Sequence, residues 1–163
     1  MNLQRVQEVV MHQAAEKSWG TCPDDIIVAE KLLLIHSELS EAYAGFLIGN
    51  IEGRDGFYEE LGDCLTRTLH LGGIFEVSFL SQTNDPNRLH NLALCATDAK
   101  IATLHRITSD CWEHYRKNRM LEFKEHLILL AQCLAQTSDD IGFSIENAIL
   151  RKLEINKDRV LKK

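Results

Sequence analysis

The chain has 163 residues, 45% of them hydrophobic and 26% charged, a length and balance that suit one globular domain with its own core. Its formal charge of −6 excludes a passive binder of nucleic-acid polymers, which needs a basic face. Apolar runs such as Leu32–Ile35 are far too short to span a bilayer, so no membrane partner is expected.

In chain order, residues 2–17 carry Leu3, Val6, Val9, Val10 and Ala14 at helical spacing and predict a first helix. Thr21-Cys22-Pro23-Asp24-Asp25 reads as the start of a second, with proline and acids in the first turn. That helix should run to about Ile48, where Gly49-Asn50 stops it. A third is expected from Phe57 to Leu71, closed by Gly72-Gly73. A short apolar stretch, Ile74 to Leu80, then leads into the linker Ser81 to Pro86. Helices are predicted over 87–116 and 119–136, with Lys117-Asn118 between them. Ser138-Asp139-Asp140 reads as a cap before a last helix over 144–158. No stretch alternates with period two, and the connections are short. The expected fold is an all-α bundle of five to six helices in a single domain, 1–163.

The chemistry concentrates on two consecutive helices. Glu38 and Glu41 lie three residues apart and therefore share a helix face, as do Glu60 and Asp63 on the next helix. Both pairs sit in apolar surroundings, Leu34, Ile35 and Ala42 around the first and Leu61, Cys64 and Leu65 around the second. Across an antiparallel hairpin the two pairs can face each other at one level, because Glu41 is about 12 Å from its helix end and Glu60 about 5 Å into its own. Four converging carboxylates repel unless a cation joins them, and oxygen-only ligands suit Mg²⁺, or Mn²⁺, rather than zinc. Spacing alone does not separate such a site from solvated charge. The chain has two further pairs, Asp110/Glu113 and Glu122/Glu125, read as surface decoration.

The strings Glu30-Lys31-Leu32-Leu33-Leu34-Ile35-His36-Ser37-Glu38-Leu39-Ser40-Glu41-Ala42 and Tyr58-Glu59-Glu60-Leu61-Gly62-Asp63-Cys64-Leu65-Thr66-Arg67 together form E-x-x-E, a gap of 18 residues, then E-x-x-D. This resembles the signature of the MazG-like all-α nucleoside triphosphate pyrophosphohydrolases. A late segment, Lys152-x-x-x-Asn156-x-x-Arg159, is similar to the K-x-x-x-N-x-x-R ending of many members. The likeness covers about 20–74 and 140–160, whereas 75–139 departs from the compact pattern and reads as an inserted or expanded helical hairpin.

The resemblance implies hydrolysis of a nucleoside triphosphate between its α- and β-phosphates, to a monophosphate and pyrophosphate. It makes Glu38, Glu41, Glu60 and Asp63 metal ligands, with Glu38 or Glu41 doubling as the base that activates water. Ser37 stands where some dUTP-cleaving relatives carry another acid, which leaves the base open and Glu59 as a possible helper. Lys152, Asn156 and Arg159 become phosphate- and sugar-binding residues, against the alternative of a solvated basic tail. Trp19 becomes either a surface for the base or a core residue. The resemblance also implies a homodimer or homotetramer. Rival readings are a phosphoribosyl-ATP pyrophosphohydrolase and a silent helical binding module.

Three negative readings complete the sequence. No histidine has an acid three residues before it, so the Glu-x-x-His pattern of di-iron bundles is missing. Arg67, four residues past Asp63, is expected to pair with that carboxylate rather than to touch substrate. The five cysteines are odd in number, contain no C-x-x-C and follow no secretory leader, which fits reduced thiols in a cytoplasm.

Overall fold

The computed structural model describes residues 1–80 and 86–157, without the side chains of residues 86, 88, 156 and 157. Among them the chain is all helical, in seven α-helices and one short 3₁₀ turn: α1 (Leu3–Glu16), the turn (Pro23–Asp25), α2 (Val28–Leu47), α3 (Phe57–Ile74), α4 (Pro86–Ala93), α5 (Thr97–Arg116), α6 (Met120–Ile141) and α7 (Ile145–Lys157). None of the helices among the described residues is long and apolar enough to cross a membrane.

Two antiparallel hairpins make the frame. In the first, Gly45 near the end of α2 lies against Phe57 at the start of α3, while Glu38, further back, meets Arg67, further on. In the second, His114 packs on His126 beside the turn, and Lys100 reaches Asp140 at the far end. The hairpins pack α2 on α5 and α3 on α6. His36 of α2 and His105 of α5 join them through a 2.7 Å Nδ1···Nδ1 hydrogen bond. Their ring planes differ by only 9°.

Helix α3 is the central element, with α1, α2, α6 and α7 all against it. Its fully buried Phe57, Leu61, Leu65, Leu69 and Leu71 belong to one continuous core that also takes in Ile35 and Leu39 of α2, Leu104 and Ile107 of α5, and Leu127 and Leu130 of α6. Burying each such side chain contributes about 1.5–3 kcal/mol. Gly62 interrupts this series where α7 crosses. A Cβ at that position would lie 3.3 Å from the Ala148 Cβ, so the glycine permits the close approach of α7 to the acid-bearing face of α3.

Three expectations are revised. The segment 21–25 is a separate turn, closed by the Asp25 carboxylate accepting the Thr21 and Cys22 amides at 3.0 and 3.2 Å, and α2 begins only at Val28. The helix expected over 87–116 is two helices broken at residues 94–96. The buried Lys100 ammonium donates to the Leu92 and Ala93 carbonyls at the end of α4 and to Asp140, which satisfies the break from within. Ser138-Asp139-Asp140 is no cap but the last turn of α6, which ends at Gly142 in the left-handed region (φ 85°). Ser144 takes the capping role instead, its hydroxyl accepting the Asn147 amide at 3.2 Å.

Candidate metal centre and its pocket

The hairpin geometry brings three of the four expected ligands together. Glu38, Glu60 and Asp63 each offer a carboxylate oxygen, all within 4.8 Å of one another. Glu38 and Glu60 are only 6% and 3% exposed. No other group of three or more metal-capable side chains forms among the described residues. Glu41 is placed differently. It is exposed, lines the same pocket, and accepts a 3.1 Å hydrogen bond from the Ser37 hydroxyl one helical turn back. The structure therefore leaves Glu41 at the rim, outside the three-acid group.

Two basic side chains hold the acids. Arg67 donates through Nε to Glu38 Oε1 at 2.6 Å, and its Nη2 lies against the same oxygen. This corrects the expected Arg67–Asp63 pair: the guanidinium crosses the hairpin to α2 instead of serving its own helix. Asp63 is paired with Lys152 of α7, whose ammonium lies 2.9 Å from Asp63 and 3.3 Å from Glu59. Glu59 also accepts the Asp55 amide at 2.7 Å. Burial pushes the Glu59 carboxyl up, but that amide and Lys152 outweigh it and hold it below its usual value.

The electrostatic consequence falls on Glu60. Burial, a hydrogen bond shared with Glu38, and repulsion from Glu38 and Asp63 push its carboxyl up to about 8. Asp63 is raised as well, mainly by burial and against the pull of Lys152. Without a further positive charge, then, the cluster keeps a proton. The donor set fits a small hard cation, being all oxygen and short of positive charge. Neighbouring ligands on an octahedral ion with bonds of about 2.1 Å stand about 3 Å apart, so the three oxygens would draw together on binding one.

Above the acids opens a pocket of about 470 Å³, within the usual range for small-molecule sites. Trp19 lines it, as expected, and packs edge-on against His70 with ring centroids 6.2 Å apart. His70 itself, with Lys31, Thr66 and Asp55, also lines the pocket and was missed in the sequence. The signal was present: Lys31 lies seven residues before Glu38 and His70 seven after Asp63, so each continues an acid-bearing helix face. Of the expected C-terminal group, Lys152 reaches the site through the acids. The Asn156 side chain and Arg159 lie outside what the structure describes.

In comparisons with known proteins, the chain matches no family model, no curated protein and no solved structure.

Proposed function

We propose that the chain is a Mg²⁺-dependent pyrophosphohydrolase that cleaves a nucleoside or deoxynucleoside triphosphate between its α- and β-phosphates, releasing a monophosphate and pyrophosphate. The observation that carries the reading is the convergence of buried Glu38 and Glu60 with half-buried Asp63 beneath a pocket that also presents cationic side chains and a tryptophan. The motif order in the sequence, E-x-x-E followed by E-x-x-D, supports the same class.

In this reading Glu38, Glu60 and Asp63 hold the cation, with Mn²⁺ an acceptable replacement. A cation held there would neutralise the triphosphate and lower the pKa of attacking water. Glu41, open to solvent at the rim, rotates off Ser37 to complete the ligand set or to take the proton from that water at its carboxylate. Arg67 keeps Glu38 oriented. Lys152 neutralises Asp63 and Glu59, and with a cation on the acids its ammonium would be free to meet phosphate oxygens. Trp19 offers a flat surface to the base. Nucleotide-pool housekeeping as a homodimer or homotetramer completes the proposal.

The test is direct. Incubation with a panel of ordinary and modified triphosphates plus Mg²⁺, followed by chromatography, should give monophosphate and pyrophosphate from at least one of them. Release of orthophosphate alone, or no turnover of any nucleotide, would overturn the reading.

A further inference from the structure

Three lysine and arginine side chains line the pocket, and two have carboxylate partners. Arg67 is bonded to Glu38, and Lys152 to Asp63 and Glu59. The third is Lys31. Its ammonium donates to the Trp19 backbone carbonyl at 3.0 Å, and among the described residues no carboxylate stands within ion-pair distance of it. One of its three N–H donors is thus used, by a neutral acceptor, on a partly buried side chain that opens on the pocket. Burial and the nearby Arg67 guanidinium disfavour its charge, outweigh the opposing pull of the Glu30 carboxylate, and hold it below the ordinary lysine value.

A partly desolvated cation with no carboxylate bonded to it costs free energy that an arriving anion returns. Position specifies which anion. Lys31, Leu34, Glu38 and Glu41 follow one face of α2 at intervals of three and four residues, and all four line the pocket. Seven residues put Lys31 about 10 Å along the helix from the level of Glu38. Along that face a polyphosphate chain bound to the acids through a cation can approach the ammonium.

We propose that Lys31 is a phosphate-binding residue of this pocket, holding an oxygen of a polyphosphate chain whose other end is bound at Glu38, Glu60 and Asp63. The assignment rests on the pyrophosphohydrolase reading for its ligand class. It adds an anion contact at the start of the metal-bearing helix to the one that the sequence pattern placed in the C-terminal segment. Lys31 also braces the Trp19 turn through the carbonyl, a separate role that acts on the base.

The two roles part when the ligand has no base. Binding of inorganic tripolyphosphate with Mg²⁺ is measured by calorimetry for the wild type, Lys31→Met and Lys31→Arg. Loss of one charge-assisted hydrogen bond should weaken binding about tenfold or more in Lys31→Met. Lys31→Arg, which keeps the charge and donors, should stay within about threefold of wild type. Unchanged affinity in Lys31→Met would overturn the proposal, as would a wild type that does not bind tripolyphosphate. If tripolyphosphate binds in a Lys31-dependent way while no nucleoside triphosphate is turned over, the hydrolase reading fails and the Lys31 site stands.

Discussion

The two hairpins of this molecule carry acid pairs at the same spacing and use them in opposite ways. On α2 and α3, Glu38, Glu60 and Asp63 turn inward, two of them buried, and burial together with the neighbouring carboxylates leaves Glu60 holding a proton to about pH 8. On α5, Glu113 lies at the surface, where Arg116 and Lys117 neutralise it at 2.7 and 2.9 Å. Its neighbour Asp110 is met by Arg106 one turn away at 3.2 Å. The first arrangement is electrostatically incomplete and the second is satisfied by its own helix. Spacing makes carboxylates neighbours; burial with more carboxylates than cations is what makes them a candidate cation site.

This contrast breaks first on activity. Glu60→Gln and Asp63→Asn should lower kcat on the order of a thousandfold, the scale of removing a group that stabilises transition-state charge. Circular dichroism should show helical content unchanged. Glu113→Gln and Glu122→Gln should turn over like wild type, and a large loss in either would mean the wrong hairpin had been chosen. Glu41→Gln sharpens the same comparison within the site. Loss of a general base lowers kcat by about a hundredfold or more, and because Glu41 lies outside the three-acid group, Mn²⁺ affinity should fall far less than in Glu60→Gln.

A smaller effect is expected in stability. Lys152→Met removes the cation between Asp63 and Glu59, side chains 18% and 10% exposed, and should cost about 2 kcal/mol in urea unfolding. Added Mg²⁺ should recover much of that loss, since the ion supplies the charge the lysine gave. Lys117→Met, beside exposed Glu113, should leave the unfolding midpoint where it was.

The pH dependence is the subtlest of these effects. Glu60 has an ordinary value of 4.5, and the folded chain raises it to about 8. The folded state binds this proton more tightly, so its contribution to stability is complete below about pH 4.5 and is lost as pH rises towards 8. A bound cation competes with that proton. The rise in melting temperature on adding Mg²⁺ should therefore be larger at pH 8.5 than at pH 6, and in Glu60→Gln this difference should vanish.

Much of the architecture was legible because helical periodicity is a local property. The all-α fold, the α2–α3 hairpin and the facing of Glu38 with Glu60 and Asp63 follow from intervals of three and four residues. What escaped depends on contacts distant in sequence. The break between α4 and α5 is satisfied by Lys100 and Asp140, and no local pattern announces that a buried lysine will do so. Arg67 was assigned to its own helix because an i, i+4 pair is the nearest option, yet Glu38, 29 residues away in sequence, is the partner it reaches. Lys31 and His70 lay on the correct faces but outside the motif, and only the packing of the Trp19 turn shows that they enclose the pocket.

The account turns on whether the α2–α3 acids, and not those of α5 and α6, hold a divalent cation. Mn²⁺ titration followed by electron paramagnetic resonance reads this without requiring turnover. Wild type and Glu113→Gln should bind Mn²⁺ alike, and Glu60→Gln should lose most of the bound signal. Mn²⁺ binding that survives in Glu60→Gln, or a wild type that binds none, would contradict the account.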